Sequence, residues 1–387
     1  MAVKILSVDD EMDLELLLTQ YFRRKIRKGE YEFVFAHNGL EALTMMLRHP
    51  DIEIVLSDIN MPEMDGLTLL ARINEMRNPA LRVIMVSAYG DMGNIRQAMN
   101  NGAFDFATKP IDLDDLSVTI EKAVRQTAYI RQAQREHSQL ESLKGDLAVA
   151  GEIQQAILPR VFPPFPEHCD KMDLAALMTP AKDVGGDFFD FFRIDDTRIG
   201  VVMADVSGKG IPAAIFMAVS RTLIRAIGTQ GNAPAECLAK ANELLCMESV
   251  NNMFVTVFYG IYDVATGFLS YCNGGHNAPC LLREGGGAEL LKVKPNFIVG
   301  VMEGMKYEGG EMTIGRGDTL VLYTDGVTEA VGPGFEEYGE GRLTATLGSL
   351  AGGSCHNIVD GLLDSVRRFA GDAGQSDDIT ILALKRE

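Results

Sequence analysis

From about Asp112 to Leu158 the 387-residue chain has no proline and only two glycines, Gly145 and Gly151. A stretch of that length without a breaker reads as one long helix, and Pro159 with the cluster Phe162-Pro-Pro-Phe-Pro166 ends it. The helix divides the chain into parts that must each bury a core of their own. Positions Leu113, Leu116, Ile120, Ala123, Thr127, Ile130, Gln134 and His137 step alternately by three and four, which is the coiled-coil seam. Polar residues at 127, 134 and 137 weaken the seam. Leu140, Leu143 and Leu147 resume it after a phase slip that would overwind a supercoil. The expectation is a dimerising coiled coil over 112–158, with a solvated linker helix as the plain alternative.

Ahead of the helix, residues 1–122 alternate strand and helix signals. Apolar runs at Val3–Val8, Phe33–Phe35, Ile52–Leu56, Arg82–Val86 and Phe104–Ala107 are separated by amphipathic stretches. That pattern predicts an α/β, doubly wound, flavodoxin-like domain with a five-stranded parallel sheet. Ligands of such sheets bind beyond the C-terminal ends of the strands. Asp9-Asp10, Asp58, Ser87 and Lys109 all fall there.

After the helix, runs at Thr197–Ala204, Phe254–Tyr262, Thr319–Tyr323 and Ile379–Leu384 surround two helical stretches, Pro212–Ile227 and Pro234–Val250. Turns such as Cys272-Asn-Gly-Gly-His276-Asn join strands. Residues 159–387 therefore read as an α+β domain, an αββα sandwich.

Six cysteines without a CxxC pair, and histidines without metal-ligand spacing, argue against a disulfide frame or a zinc site. A net charge of −18 disfavours nucleic acid, whose phosphates need a basic footprint. The first residues run straight into a strand pattern, and no apolar run reads as long enough to span a bilayer. A cytoplasmic protein without membrane partners is expected.

Two adjacent acids and a third after a neighbouring strand can hold one Mg²⁺, leaving Asp58 as a nucleophile towards phosphate. Across 1–122 the chain resembles the receiver domain of two-component response regulators. The resemblance rests on Val8-Asp9-Asp10-Glu11, Ser57-Asp58-Ile-Asn60-Met-Pro62-Glu-Met-Asp-Gly66, Val86-Ser87-Ala88 and Thr108-Lys109-Pro110. It implies that Asp58 accepts phosphate from a histidine kinase. Asp10, Asp58 and the Asn60 carbonyl would bind Mg²⁺ with support from Asp9, Lys109 would neutralise the phosphoryl oxygens, and Ser87 and Phe106 would switch the face. Phe106 stands where the family often has Tyr.

The C-terminal part holds four segments that each carry an aspartate with glycine nearby or a second acid beside it. They are Val-Gly-Gly-Asp187, Ala-Asp205-Val-Ser-Gly-Lys-Gly, Tyr-Thr-Asp325-Gly-Val-Thr-Glu and Gln-Ser-Asp377-Asp378-Ile-Thr. Brought together, these carboxylates repel one another unless cations neutralise them, and oxygen donors select Mg²⁺ or Mn²⁺. Two such ions can activate a water and clamp a phosphate ester. From about residue 147 the chain resembles PPM-type (protein phosphatase 2C-like) serine/threonine phosphatases of the bacterial stress-response and sporulation subgroup. The motifs are Glu152-Ile-Gln-Gln-Ala-Ile-Leu-Pro159, Asp183-Val-Gly-Gly-Asp187-Phe-Phe-Asp190, Ala204-Asp205-Val-Ser-Gly-Lys-Gly210, Asn273-Gly-Gly-His-Asn277, Thr324-Asp325-Gly-Val-Thr-Glu329 and Asp377-Asp378-Ile-Thr380.

By that resemblance Asp187, Asp205, the Val206 carbonyl, Asp325 and Asp377 hold two metals, with Asp378 as the alternative to Asp377. Lys209, often His in the family, receives no catalytic role. His276 reads as a turn or substrate contact, and Asp190 and Glu329 as surface or supporting groups. A diguanylate-cyclase reading of Gly-Gly-Asp187-Phe-Phe fails because Phe188 replaces the needed acid. The expected protein is a homodimeric response regulator whose helix transmits the state of Asp58 to a metal-dependent phosphatase. Its expected substrate is a phosphorylated anti-sigma-factor antagonist. The competing class is a catalytically silent adaptor that sequesters a partner, and the intact acids argue against it.

Overall fold

The computed structural model describes residues 2–88, 91–162, 164–248 and 252–387. They form two compact units, Met1–Leu143 and Lys144–Glu387. The first contains β1 (Val3–Val8), α1 (Asp13–Tyr21), α2 (Arg23–Arg27), β2 (Tyr31–Ala36), α3 (Gly39–Arg48), β3 (Ile52–Asp58), α4 (Gly66–Glu75), β4 (Arg82–Ala88), α5 (Met92–Asn100) and β5 (Asp105–Lys109). Helix α6 (Leu113–Ile157) follows.

The five strands form one parallel sheet in the order β2-β1-β3-β4-β5, as the βα alternation predicts. Helices cover both faces, so the central strands read as continuous apolar runs. Leu6, Val55, Leu69 and Ala98 share a core with α3, α4 and α5. Ile5, Ile54, Ile84 and Leu18 pack with α6 on the other side. Asn38 and Asp65 cap α3 and α4 by accepting from the amides of Glu41 and Thr68.

Helix α6 matches the proline-free stretch to within a residue at each end. Its first half is covered by its own unit. Leu116, Ile120 and Ala123 are buried in the core, Thr127 is buried too, and Arg131 pairs with Glu53 of β3 at 2.7 Å. A coiled-coil seam running from Leu113 is thus corrected: these positions meet the sheet. A three-four spacing reports an apolar stripe and not what covers it. Farther along, Leu140, Leu143, Val149 and Ile153 are exposed.

The second unit contains β6 (Met172–Thr179), β7 (Phe188–Arg193), β8 (Arg198–Val206), α7 (Ile211–Gly228), α8 (Pro234–Glu248), β9 (Val255–Asp263), β10 (Phe268–Gly274), β11 (Cys280–Leu282), β12 (Ala288–Leu290) and β13 (Gly310–Thr313). It ends with β14 (Thr319–Tyr323), α9 (Asp325–Thr328), α10 (Gly339–Leu350), α11 (Cys355–Ala370) and β15 (Ile379–Arg386). Two antiparallel five-stranded sheets, β13-β10-β9-β8-β7 and β12-β11-β14-β15-β6, pack face to face. Along β14, Leu320 and Leu322 join the core between the sheets, while Val321 and Tyr323 join the core beneath α10 and α11. That period of two is the strand's own geometry.

Helices α7 and α8 cover the first sheet, which completes the αββα sandwich. The sequence reading found two helices in this unit and missed α10 and α11. Its Pro234–Val250 helix ends at Glu248, and Ser249 and Val250 lie outside the described residues. Contrary to the same reading, α7 is long and apolar enough to cross a bilayer. Its Ala213, Met217, Ile224 and Ile227 are buried against the first sheet and α8, so its apolarity is that of a core helix.

Candidate functional sites

In the first unit β1, β3, β4 and β5 run parallel, so Asp9, Asp58, Ser87 and Lys109 gather at one edge. Asp9, Asp10 and Asp58 each present an oxygen within 4.8 Å of the others. Asp9 and Asp58 are buried and Asp10 is exposed. Lys109 Nζ lies 2.8 Å from Asp58 Oδ2, 2.9 Å from Asp9 Oδ2 and 2.9 Å from Glu11 Oε1. Burial lowers the Lys109 pKa, but bonds to Asp58, Asp9 and Glu11 together hold it above the ordinary lysine value. Burial pushes the Asp9 carboxyl up, and the Glu11 amide and Lys109 offset part of that.

The Asn60 amide donates to Asp58 Oδ1 at 3.4 Å. Gly66 packs where any side chain would strike the Asp58 carbonyl, which folds the loop tightly onto the strand end. Ser87 is fully buried with its hydroxyl unpartnered, and Phe106 is 37 % exposed. Glu11 is the group to which the sequence reading gave no role. A third consecutive acid was the available signal.

The second site follows from antiparallel pairing, which sets the end of one strand beside the start of the next. Phe188 of β7 pairs with Ala204 of β8, so Asp187 and Asp205 are brought together. Tyr323 of β14 pairs with Ile381 of β15, so Asp325 meets Asp377 and Asp378. Asp187 is 2 % exposed, and its Oδ2 accepts the Thr324 and Thr380 hydroxyls, each at 2.7 Å. Burial raises its pKa well above the carboxylate range, and the Asp205 charge adds to that. Asp205 is pushed up to about 7, by burial first and then by Asp325. Asp325 rises to about 6 through burial, Glu329 and Asp377.

These acids spread more widely than the first unit's triad. Among the described residues only Asp9, Asp10 and Asp58 converge within 4.8 Å as a set of three.

The neighbouring pair Asp377 and Asp378 splits by role. Asp378 is buried, and its oxygens accept the amides of Ala181 (2.8 Å) and Gly186 (2.6 Å). It fixes the turn ahead of Asp187, where side chains at Gly185 or Gly326 would strike Asp378 itself. Asp377 is half-exposed and pairs with Lys209 at 2.7 Å, while Lys209 also donates to the Ser376 carbonyl. Gly186 packs against the Val206 carbonyl.

His276 is buried, bonded through Nδ1 to Thr256 at 2.8 Å, and lowered to about 4 by burial. With Asn273 bonded to its own backbone in both directions, it belongs to a turn. Asp190 is not a surface group: it is 1 % exposed and pairs with Arg225 (2.6 Å) and Arg221 (3.2 Å) of α7. Glu329 is exposed.

Gln154 is a site residue the sequence reading quoted without a role. Its amide donates to the Gly185 carbonyl at 2.6 Å and accepts from the Gly185 amide at 2.9 Å. A side chain at Gly151 would strike the Asp183 carbonyl. The end of α6 therefore holds the turn that leads into Asp187.

Both donor sets suit a hard divalent cation. They offer oxygen donors, and among the described residues no side-chain cation pairs with the inner acids Asp187 and Asp205 of the second site.

Comparison with known proteins agrees with this division. The response regulator receiver domain family matches residues 5–121, and the stage II sporulation protein E (SpoIIE) family matches residues 195–387. Chemotaxis protein CheY of Listeria monocytogenes is 37% identical over 126 residues, 32% of this chain and 99% of its own length. Phosphoserine phosphatase RsbU of Bacillus subtilis is 26% identical over 260 residues, 66% of this chain and 75% of RsbU. Protein IcfG of Synechocystis is 29% identical over 268 residues, 62% of this chain, which spans only 41% of IcfG. The SiaA-PP2C domain of Pseudomonas aeruginosa superposes with a TM-score of 0.57 at 23% identity, covering 65% of this chain and 98% of that domain, and so shares the fold. The chain belongs to the response regulators, its receiver domain joined to a SpoIIE-type, PP2C-like serine/threonine phosphatase domain.

Proposed function

We propose that this response regulator dephosphorylates phosphoserine or phosphothreonine on a small anti-sigma-factor antagonist, under control of Asp58 phosphorylation by a histidine kinase. The observation that carries the catalytic part is the pairing of the buried Asp187 with the partly buried Asp205, both with raised pKa values. Packing negative charge in this way is unfavourable unless a cation resides there. Asp187, Asp205, the Val206 carbonyl, Asp325 and Asp377 would hold two Mg²⁺ or Mn²⁺ ions. Asp9, Asp10, Asp58 and the Asn60 carbonyl would hold one Mg²⁺ in the receiver. Such cations supply charge neutralisation and polarise water and phosphate ester.

The protein's own groups do the positioning. Thr324 and Thr380 fix one Asp187 oxygen, Asp378 and Gln154 hold the Gly185–Gly186 turn, and Lys209 places a positive charge beside Asp377. In the receiver, Lys109 faces the oxygen of Asp58 that would carry phosphate, and the free Ser87 hydroxyl is a donor available to it. Support for coupling comes from α6, one unbroken helix whose far end holds that turn. The exposed Leu140 and Leu143 support a homodimer through this part of the helix.

The test uses the purified full chain with a phosphorylated antagonist, with and without acetyl phosphate and Mg²⁺. Release of inorganic phosphate that changes with Asp58 acylation, and no acylation of Asp58→Ala by intact mass, is the expected result. Partner binding without any phosphate release would instead establish the silent adaptor.

A further inference from the structure

A cavity of about 700 Å³ opens at the opposite edge of the receiver sheet from Asp58. Its wall includes Arg77 from the turn after α4, Arg82 at the start of β4, Phe104 just ahead of β5, and Lys122 and Gln126 from α6. Strands rise roughly 3.3 Å per residue, so this edge lies about 20 Å from Asp58. Among the described residues no aspartate or glutamate lines it, in a chain whose net charge is −18.

The three cations are under-compensated. Arg82 is partly buried and donates to the carbonyls of Pro79 (2.8 Å) and Leu81 (3.0 Å), yet no carboxylate pairs with it among the described residues. Burial without a counter-ion pushes its pKa below the ordinary guanidinium value. Buried charge is normally paired. Lys122 has one carboxylate, Asp105, at 3.1 Å. Arg82 and Lys122 both stand near the Phe104 ring, 5.9 and 5.4 Å from its centroid, so one aromatic surface keeps two cations close together. Arg77 is exposed and makes no ion pair among the described residues. Its φ of +51° is disfavoured for a residue with a side chain, and it turns the chain at the cavity mouth.

We propose that this cavity binds a nucleotide through its di- or triphosphate. Guanidinium and ammonium groups gathered with a single carboxylate, Asp105, beside them match phosphoryl oxygens, and Arg presents paired donors to them. The volume falls within the roughly 300–1,000 Å³ of small-molecule sites, well above what a single phosphate fills. Asn74, Asn78 and Gln126 add neutral donors and acceptors suited to a sugar or base. The cations are gathered around one open, bounded pocket and not along an extended basic stripe, which separates this from a nucleic-acid surface.

The test is calorimetric titration of the full chain with ATP, GTP and inorganic pyrophosphate in excess chelator. Chelator keeps the two acidic sites from recruiting phosphate through metal, and the heat that Arg77→Ser and Lys122→Gln remove is the part that reports this cavity. Saturable binding that weakens at least tenfold in both Arg77→Ser and Lys122→Gln is the expected result. A nucleotide that binds more tightly than pyrophosphate assigns the neutral wall to base and sugar. Equal binding assigns recognition to the phosphates alone and overturns the nucleotide part. Hydrogen exchange gives a second reading, with ligand protection expected over residues 77–82 and 120–128. Absence of saturable binding by all three ligands, or unchanged affinity in both variants, overturns the site.

Discussion

The two acidic sites keep negative charge in opposite ways. In the receiver, three carboxylates crowd within 4.8 Å, and Lys109 reaches Asp9 and Asp58 directly. Part of the charge is answered by a residue of the chain. In the phosphatase unit the acids are farther apart, Asp187 is 2 % exposed, and among the described residues the carboxylate that Lys209 pairs with is the outer Asp377. Unanswered charge appears there as raised pKa values, up to about 7 at Asp205 and about 6 at Asp325. In one arrangement the chain itself answers part of the charge, while the other leaves it to protons at low pH or cations at neutral pH.

The sharpest break of this contrast is removal of one acid from each side. Asp205→Asn should lower Mn²⁺- or Mg²⁺-dependent hydrolysis of p-nitrophenyl phosphate by about 10³-fold, the scale of losing a charged group that stabilises a transition state. Asp58→Asn should leave that basal rate near wild type. Near-normal turnover in Asp205→Asn with a normal circular dichroism spectrum would remove the two-metal reading.

Next in size is the junction between the sites. One residue inserted near Gln134 turns the following helix by about 100°, and seven roughly restore the phase. Asp58-dependent control of turnover should vanish with one and return with seven. Equal responses from both insertions would make the helix a tether.

A more local change is Gln154→Ala, which strips the Gly185 amide and carbonyl of their buried partner. Such a loss costs about 1–3 kcal/mol. Turnover should fall about tenfold, since 1.4 kcal/mol is a factor of ten, while acyl phosphate at Asp58 still forms. Unchanged turnover would show that the turn holds itself.

The smallest effect is on stability. Asp205 and Asp325 have folded pKa values above their unfolded ones, so in chelated protein their contribution is full below about pH 4. It is lost as pH rises through about 6 to 7. Metal-free melting temperature should therefore drop over that window, less so in Asp205→Asn, and Mn²⁺ should reverse the drop. A window of equal size in wild type and Asp205→Asn would count against a buried, shared charge.

Much of this was legible from residues. Each strand of the parallel sheet followed from an apolar run, because both faces are covered and the signal is continuous. Asp187 and Asp325 were visible as acids beside glycines, Asp205 as an acid just ahead of a glycine-rich turn, and Asp377-Asp378 as a pair. Other features were not. The seam at Leu116, Ile120 and Ala123 had the right period for a partner helix, and the partner turned out to be the receiver's own sheet. Asp190 looked like a surface acid because its arginines lie 31 and 35 residues away on α7. Gln154 acts through its amide on a backbone turn 31 residues ahead, a contact no local pattern announces. Asp378 differs from Asp377 only in which side of the strand start it faces.

Two glycines in α6 have opposite characters. Gly151 admits no side chain, whereas nothing lies within 4 Å of the Cβ position at Gly145, two residues past the boundary between the units. In mechanical terms α6 is a shaft with a pliant section at Gly145, where the helix is weaker by about 1 kcal/mol than with alanine. Twist entering from the receiver would be partly absorbed there before it reaches the Gln154 grip. Gly145→Ala stiffens that section, so the same receiver state should produce a larger excursion in phosphatase turnover. An unchanged excursion would show that Gly145 takes up no twist.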